Sequence, residues 1–324
     1  MSSGANDSFD AIVQALRAAV PVLREAEIPF MLGGSMAVWA YGGPEPTNDL
    51  DLMVREQDAE PALRALEAAG MRVGHPPEEW LVKAWHGDVH CRADHREAAL
   101  ESFAAMRGQA DILLLAGDLT TTGEPEEGAV LAEACRGIGM PVFAVLGNHD
   151  WHANRRDELR AAIEQHGDVV VLDRDHRTCE CTGVEVGVVG VKGFVGGFPG
   201  SHLPDFGEPL LREVYAETSR DVAALDRGLR AIALCPVRIV LLHYAPTDAT
   251  LVGESPGIQA FLGTDRLAAP IAEHEPTLVL HGHAHAGTFA ASIGTVPVRN
   301  VSIHVLGRDF HVFELPDHAA ATIH

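Results

Sequence analysis

The sequence predicts an α/β fold, and two observations carry the prediction. Near-continuous apolar runs over 111–116, 141–146, 237–242 and 277–280 have the composition of strands buried on both faces. Each run leads directly into a polar block: Gly117-Asp118, Gly147-Asn148-His149-Asp150, His243, and Gly282-His283-Ala284-His285. In α/β sheets the ligand-binding side chains lie in the loops beyond the carboxyl ends of the strands. The blocks therefore read as parts of one site, with Asp88-Val89-His90 as a fifth part upstream.

The elements follow in order. Phe9, Ile12, Val13, Leu16, Ala19, Val20 and Leu23 recur at helical spacing, with Asp7 or Ser8 available as a cap. A short apolar strand over 28–32 comes next, and Gly33-Gly34-Ser35 opens a further helix. Residues 48–54 alternate polar and apolar, as a half-buried strand does. A helix over 60–69 is ended by Gly70, and Pro76-Pro77 marks a break before the 80–85 segment. From Asp88 onward strands alternate with helical stretches. The Gly-rich 193–200 segment is a loop able to line a pocket, and the short β segments of 288–315 predict a second sheet. The chain divides into 1–86, 87–316 and a polar tail, 317–324.

A chain of 324 residues is long enough for two domains. It carries 24 Lys plus Arg against 46 Asp plus Glu, a formal net charge of −22. Such a field repels nucleic-acid backbones, which disfavours long DNA or RNA as a partner. No apolar run approaches a membrane span and no signal peptide is apparent. Cys91, Cys135, Cys179, Cys181 and Cys235 form an odd set without a disulfide spacing pattern. Reduced thiols and a cytoplasmic location are expected.

The blocks supply hard oxygen and borderline nitrogen donors, a mixture suited to a pair of Mn, Fe or Zn ions. Two such ions about 3.5–4 Å apart clamp a phosphoryl group and generate a hydroxide nucleophile near neutral pH. A phosphoester hydrolase is the expected activity. In order, D-x-H, G-D, G-N-H-D, H and G-H-x-H resemble the signature of the calcineurin-like metallophosphoesterase superfamily over about 88–315. The resemblance implies a metallophosphoesterase-type β-sandwich flanked by helices. It implies that Asp88, His90 and His285 bind one metal, that Asn148, His243 and His283 bind the other, and that Asp118 bridges both. A metal-bound hydroxide would attack a small phosphomonoester or phosphodiester, a nucleotide among them. His149 would stabilise the phosphoryl oxygens or protonate the leaving oxygen, with Asp150 orienting it.

Gly34-Ser35 followed by Asp49-Leu50-Asp51 resembles a second family, the nucleotidyltransferases. That resemblance implies a nucleotide phosphate at the helix start and Mg²⁺ on the two carboxylates. The third carboxylate such enzymes use has no suitable position here, so a truncated small α/β module retained for binding or packing is expected. Lys83 and His86 interrupt the apolar character expected just before Asp88. A lysine in a central parallel strand is costly, so one strand is expected to serve both halves. Nucleotidyl transfer by the first module and a non-catalytic metal-bearing scaffold are the alternative functions.

Overall fold

The computed structural model describes residues 4–32, 50, 52–74, 83–85 and 96–315. The chain divides into two compact units, Met1–Asp88 and Val89–His324. Gly34, Ser35, Asp49, Asp51, Asp88 and His90 lie outside the described residues.

In the first unit, helix α1 (Gly4–Glu25) precedes β1 (Phe30–Leu32), which pairs antiparallel with β2 (Leu52–Val54). Helix α2 (Glu56–Ala68) follows. Ala19 and Leu23 on α1, and Ala62 and Leu66 on α2, are each four residues apart and so share a helix face. With Ile28 they make a small core. Strand β3 (Arg72–Gly74) pairs with β4 (Lys83–Trp85). The described part of the strand expected to serve both halves thus takes its place in the first unit.

The second unit is a four-layer sandwich. Its first half runs α3 (Arg96–Ala105), β5 (Leu113–Ala116), α4 (Pro125–Cys135), β6 (Val142–Val145), α5 (Arg156–Glu164) and β7 (Val169–Val171). Strands β5, β6 and β7 pair in parallel as one sheet. Its second half runs β8 (Asp175–Cys181), β9 (Val184–Val191), α6 (Pro209–Ala231), β10 (Val237–Leu242), α7 (Ala268–His274), β11 (Leu278–His281), β12 (Ala290–Ile293) and β13 (Val296–Asn300). These strands form a six-stranded sheet in the order β12-β13-β11-β10-β9-β8.

Three apolar cores hold the layers. Phe143, Val145, Val188, Ile239, Leu241 and Leu280 come from both sheets and fill the space between them. Leu131, Leu159 and Ile163 pack under the smaller sheet, and Leu225, Leu229 and Ile271 over the larger. Contrary to the expectation from sequence, the segments of 288–315 build no separate sheet. Instead β13 pairs in parallel with β11, joining Val279 to Val298, and β12 adds antiparallel to β13. The open edge of β11 takes them up because Val296, Val298 and Asn300 alternate inward with the pleat. The second sheet is β5–β7.

Candidate active site

Four strand ends converge on the site. Asp118 follows β5, Asn148 and His149 follow β6, and His243 follows β10. His283 and His285 follow β11. The backbone at the first two of these turns is compressed by contact. A Cβ on Gly117 would lie 2.3 Å from His243 Nδ1, and one on Gly147 would lie 2.1 Å from Asp118 Oδ1. Only glycine lets the loops close to that distance. Asp118 (φ 49°) and His283 (φ 66°) both sit in the left-handed region. Such conformations cost about 1–3 kcal/mol each for non-glycine residues and collect at functional sites.

Asp118, His243 and His283 each offer one ligand atom, and these atoms lie within 4.8 Å of one another. His243 Nδ1 donates to the Ala116 carbonyl at 2.9 Å. That bond fixes the tautomer, and in the neutral ring it leaves Nε2 with a bare lone pair. Facing this lone pair are Asn148 Oδ1 at 2.8 Å and Asp118 Oδ1 at 3.4 Å. With the ring neutral, three acceptors converge at this point, an arrangement that a cation satisfies. The donor set of carboxylate, amide oxygen and imidazole fits Mn, Fe or Zn. His283 is turned by its Nε2, which donates to the Phe261 carbonyl at 3.3 Å and leaves Nδ1 bare.

The electrostatics suit the same purpose. Burial lowers His243, which favours the neutral ring that can ligate. Burial and then His243 push His283 down to about 3. Burial opposes the charge on Asp118, but His243, His149 and the His149 N–H outweigh it and hold the carboxyl below its usual range.

Asp150 is fully buried and accepts from Gly147 N at 2.7 Å, Thr120 Oγ1 at 2.6 Å, Thr120 N at 2.9 Å and Leu119 N at 3.1 Å. It pins the 118–120 turn to the 147–150 turn, and burial, with Asp118 second, lifts it to about 6. The orienting bond expected between Asp150 and His149 is taken by another group: His149 Nδ1 donates to the Thr121 carbonyl at 2.9 Å. The reason is local. His149 and Asp150 are consecutive in a 3-10 turn (His149–Trp151), which turns their side chains apart.

His285 lines the same cleft as Asp118, His243 and His283, a cavity of about 170 Å³. Its ring lies 4.4 Å from that of His304. Asp88 and His90 fall outside the described residues. Lys192 and Tyr244, which flank His243 in the structure, are not marked by any of the sequence blocks. Lys192 directly follows the apolar β9 strand, the same signal that marks the other blocks.

A sandwich whose strand ends gather carboxylate, amide and imidazole ligands defines the class, a metal-dependent hydrolase. Residues 84–287 match the calcineurin-like phosphoesterase family, and the chain belongs to it. The protein is therefore a phosphoric ester hydrolase that uses divalent metal ions. No curated protein matches the sequence. Among solved structures, TT1561 of Thermus thermophilus is 20% identical with a TM-score of 0.46, covering 67% of this chain and 87% of that one. The phosphopantetheinyl hydrolase of Mycobacterium tuberculosis is 17% identical with a TM-score of 0.46, covering 59% and 78%. At these values neither likeness bears on substrate.

Proposed function

We propose that the chain hydrolyses a small phosphomonoester or phosphodiester, a nucleotide among the candidates, at a two-metal centre. Asp118, Asn148, His243 and His283 hold one ion. Asp88, His90 and His285 hold the other, with Asp118 shared between them. The observation that carries this reading is the bare His243 Nε2 facing the Asn148 and Asp118 oxygens. Bound Mn, Fe or Zn would supply Lewis acidity toward a phosphoryl oxygen and make water a stronger acid.

The chain's own residues do the rest. Ala116 and Phe261 carbonyls fix the ring nitrogens of His243 and His283, so little reorganisation accompanies binding. His149, held through Nδ1 by Thr121, would act on the phosphoryl oxygens or the leaving oxygen. In hydrolysis a water oxygen would bond to phosphorus as the ester P–O bond breaks, the leaving oxygen would take a proton from His149, and the proton given up by the water would restore it. The net charge of −22 favours small substrates over polynucleotides. The truncated nucleotidyltransferase-like module expected over 1–86 would be ancillary to the 87–316 hydrolase. The thiols of Cys179 and Cys181, 3.6 Å apart, fit a reducing cytoplasm.

Purified protein with Mn²⁺ should hydrolyse p-nitrophenyl phosphate or its bis ester, and chelation should stop it. Asp118→Asn should lower kcat/KM by about a hundredfold or more, the scale of losing a transition-state electrostatic contact. Unchanged turnover in that variant would sink the two-metal reading.

A further inference from the structure

Three parallel strands end side by side at the site. β9 pairs with β10 through Val191 and Leu242, and β10 with β11 through Leu241 and Leu280. One step beyond the first pair stand Lys192 and His243, and the His243 N–H donates to the Lys192 carbonyl at 3.0 Å. Laterally adjacent residues in parallel strands project to the same face. The lysine therefore emerges beside the metal group, where α/β sheets place side chains that touch ligands.

Its surroundings are unusual for a cation. Lys192 Nζ lies 4.4 Å from the Phe194 ring, 4.9 Å from Tyr244 and 5.8 Å from Trp151. Ring faces stabilise an ammonium without supplying hydrogen-bond acceptors. The group donates once, to the Gly193 carbonyl at 3.0 Å, and forms no ion pair among the described residues. The nearby acids are engaged elsewhere: Arg174 holds Asp221 and Glu217, and Arg156 holds Asp173. An ammonium has three N–H groups, so two lack a protein acceptor among the described residues.

Tyr244 provides a second idle donor. The residue is only 5% exposed, its hydroxyl makes no hydrogen bond among the described residues, and that oxygen is not among the buried atoms left unpaired, so it is open to a ligand or solvent. Buried tyrosines normally find a partner for that group. Its ring lies 4.4 Å from His283, so this wall is continuous with the metal group.

We propose that Lys192 and the Tyr244 hydroxyl form an anion subsite beside the metal group. It reads a second negative group, phosphate or carboxylate, on the phosphoester substrate. The subsite rests on the phosphoesterase reading and narrows its substrate class to phosphoesters bearing a further anion. The bland alternative is that Lys192 only balances Asp221, whose Oδ2 has no hydrogen-bond partner. That role would affect stability and leave ligand preference alone.

Two phosphonates separate these readings, because their C–P bond resists hydrolysis. Propylphosphonate and 3-phosphonopropionate differ by one terminal carboxylate. Calorimetry on Mn²⁺-loaded protein should show about tenfold or tighter binding of the carboxylated probe, the scale of charge-assisted hydrogen bonds. Lys192→Met should bring the affinity ratio close to one, Lys192→Arg should keep most of it, and Tyr244→Phe should reduce it. Tyr244→Phe removes a single oxygen, so it remains informative if Lys192→Met fails to fold. Propylphosphonate binding without any preference for the carboxylate would overturn the subsite alone. A preference that persists in Lys192→Met and Tyr244→Phe would do the same, assigning it to the metals. Binding of neither probe would overturn the phosphoesterase reading itself, and the subsite with it.

Discussion

At the scale of single residues, the site is a set of close approaches that leave no room for substitution. Gly147 faces the Asp118 carboxylate at a distance no Cβ can share. Gly147→Ala should therefore displace Asp118 and lower bound Mn²⁺ several-fold, as elemental analysis of the purified variant would show. Asp150 works by a different route. It satisfies three backbone N–H groups of two turns that carry ligands. Asp150→Ala leaves those donors orphaned and should cost about 3 kcal/mol or more in urea unfolding. A stable variant that had merely lost turnover would instead restore the orienting role toward His149. The residues carrying donors were legible in the sequence because each follows an apolar strand. Their mutual arrangement was not, since hydrogen bonds such as those of His149 and His243 run to backbone carbonyls 28 and 127 residues away.

At the scale of elements, buried parallel strands announce themselves and the others do not. β5, β6, β10 and β11 are apolar on both faces and read plainly. β8 carries Asp175, Arg177 and Glu180 on an edge, so its composition resembles a loop. The hairpin to β9 turns on Thr182 and Gly183, both at positive φ, a two-residue turn that a Thr-Gly pair signals only weakly. Leu241 stands at the centre of the inter-sheet core, fully buried. Leu241→Ala should cost about 2–5 kcal/mol in the same unfolding measurement. The contact between β8's approach and α6 has a pH signature. Burial would raise Glu217, but hydrogen bonds from Arg174 and Arg220 outweigh it and hold the carboxyl below its usual range. The folded state thus binds this proton less readily than the unfolded one. Its contribution is present above the ordinary carboxylate pKa and fades as pH falls through the lower folded value. Glu217→Gln should flatten the stability profile on that acid side.

At the scale of the whole molecule, the metals and the fold are coupled. The proposed ligands follow β5, β6, β10 and β11, which belong to two different sheets. An ion bound there ties the sheets together and exists only in the folded state. Mn²⁺ at about a hundred times its Kd should stabilise the protein by about 2.7 kcal/mol, visible as a higher melting temperature that Asp118→Asn abolishes. Among the described residues no helix is long and apolar enough to cross a membrane. The order of motif blocks carried the fold class because each block punctuates one strand. Sheet membership was hidden, since apolar runs do not state which neighbours they pair with.

The central claim is that one divalent ion sits among Asp118, Asn148, His243 and His283. Crystals soaked in Mn²⁺ and measured at its absorption edge test it most directly. An anomalous peak is expected within coordination distance of those four side chains, with a second peak beside His285. A chain that binds Mn²⁺ in solution yet shows no peak between His243 Nε2 and Asn148 Oδ1 would contradict it.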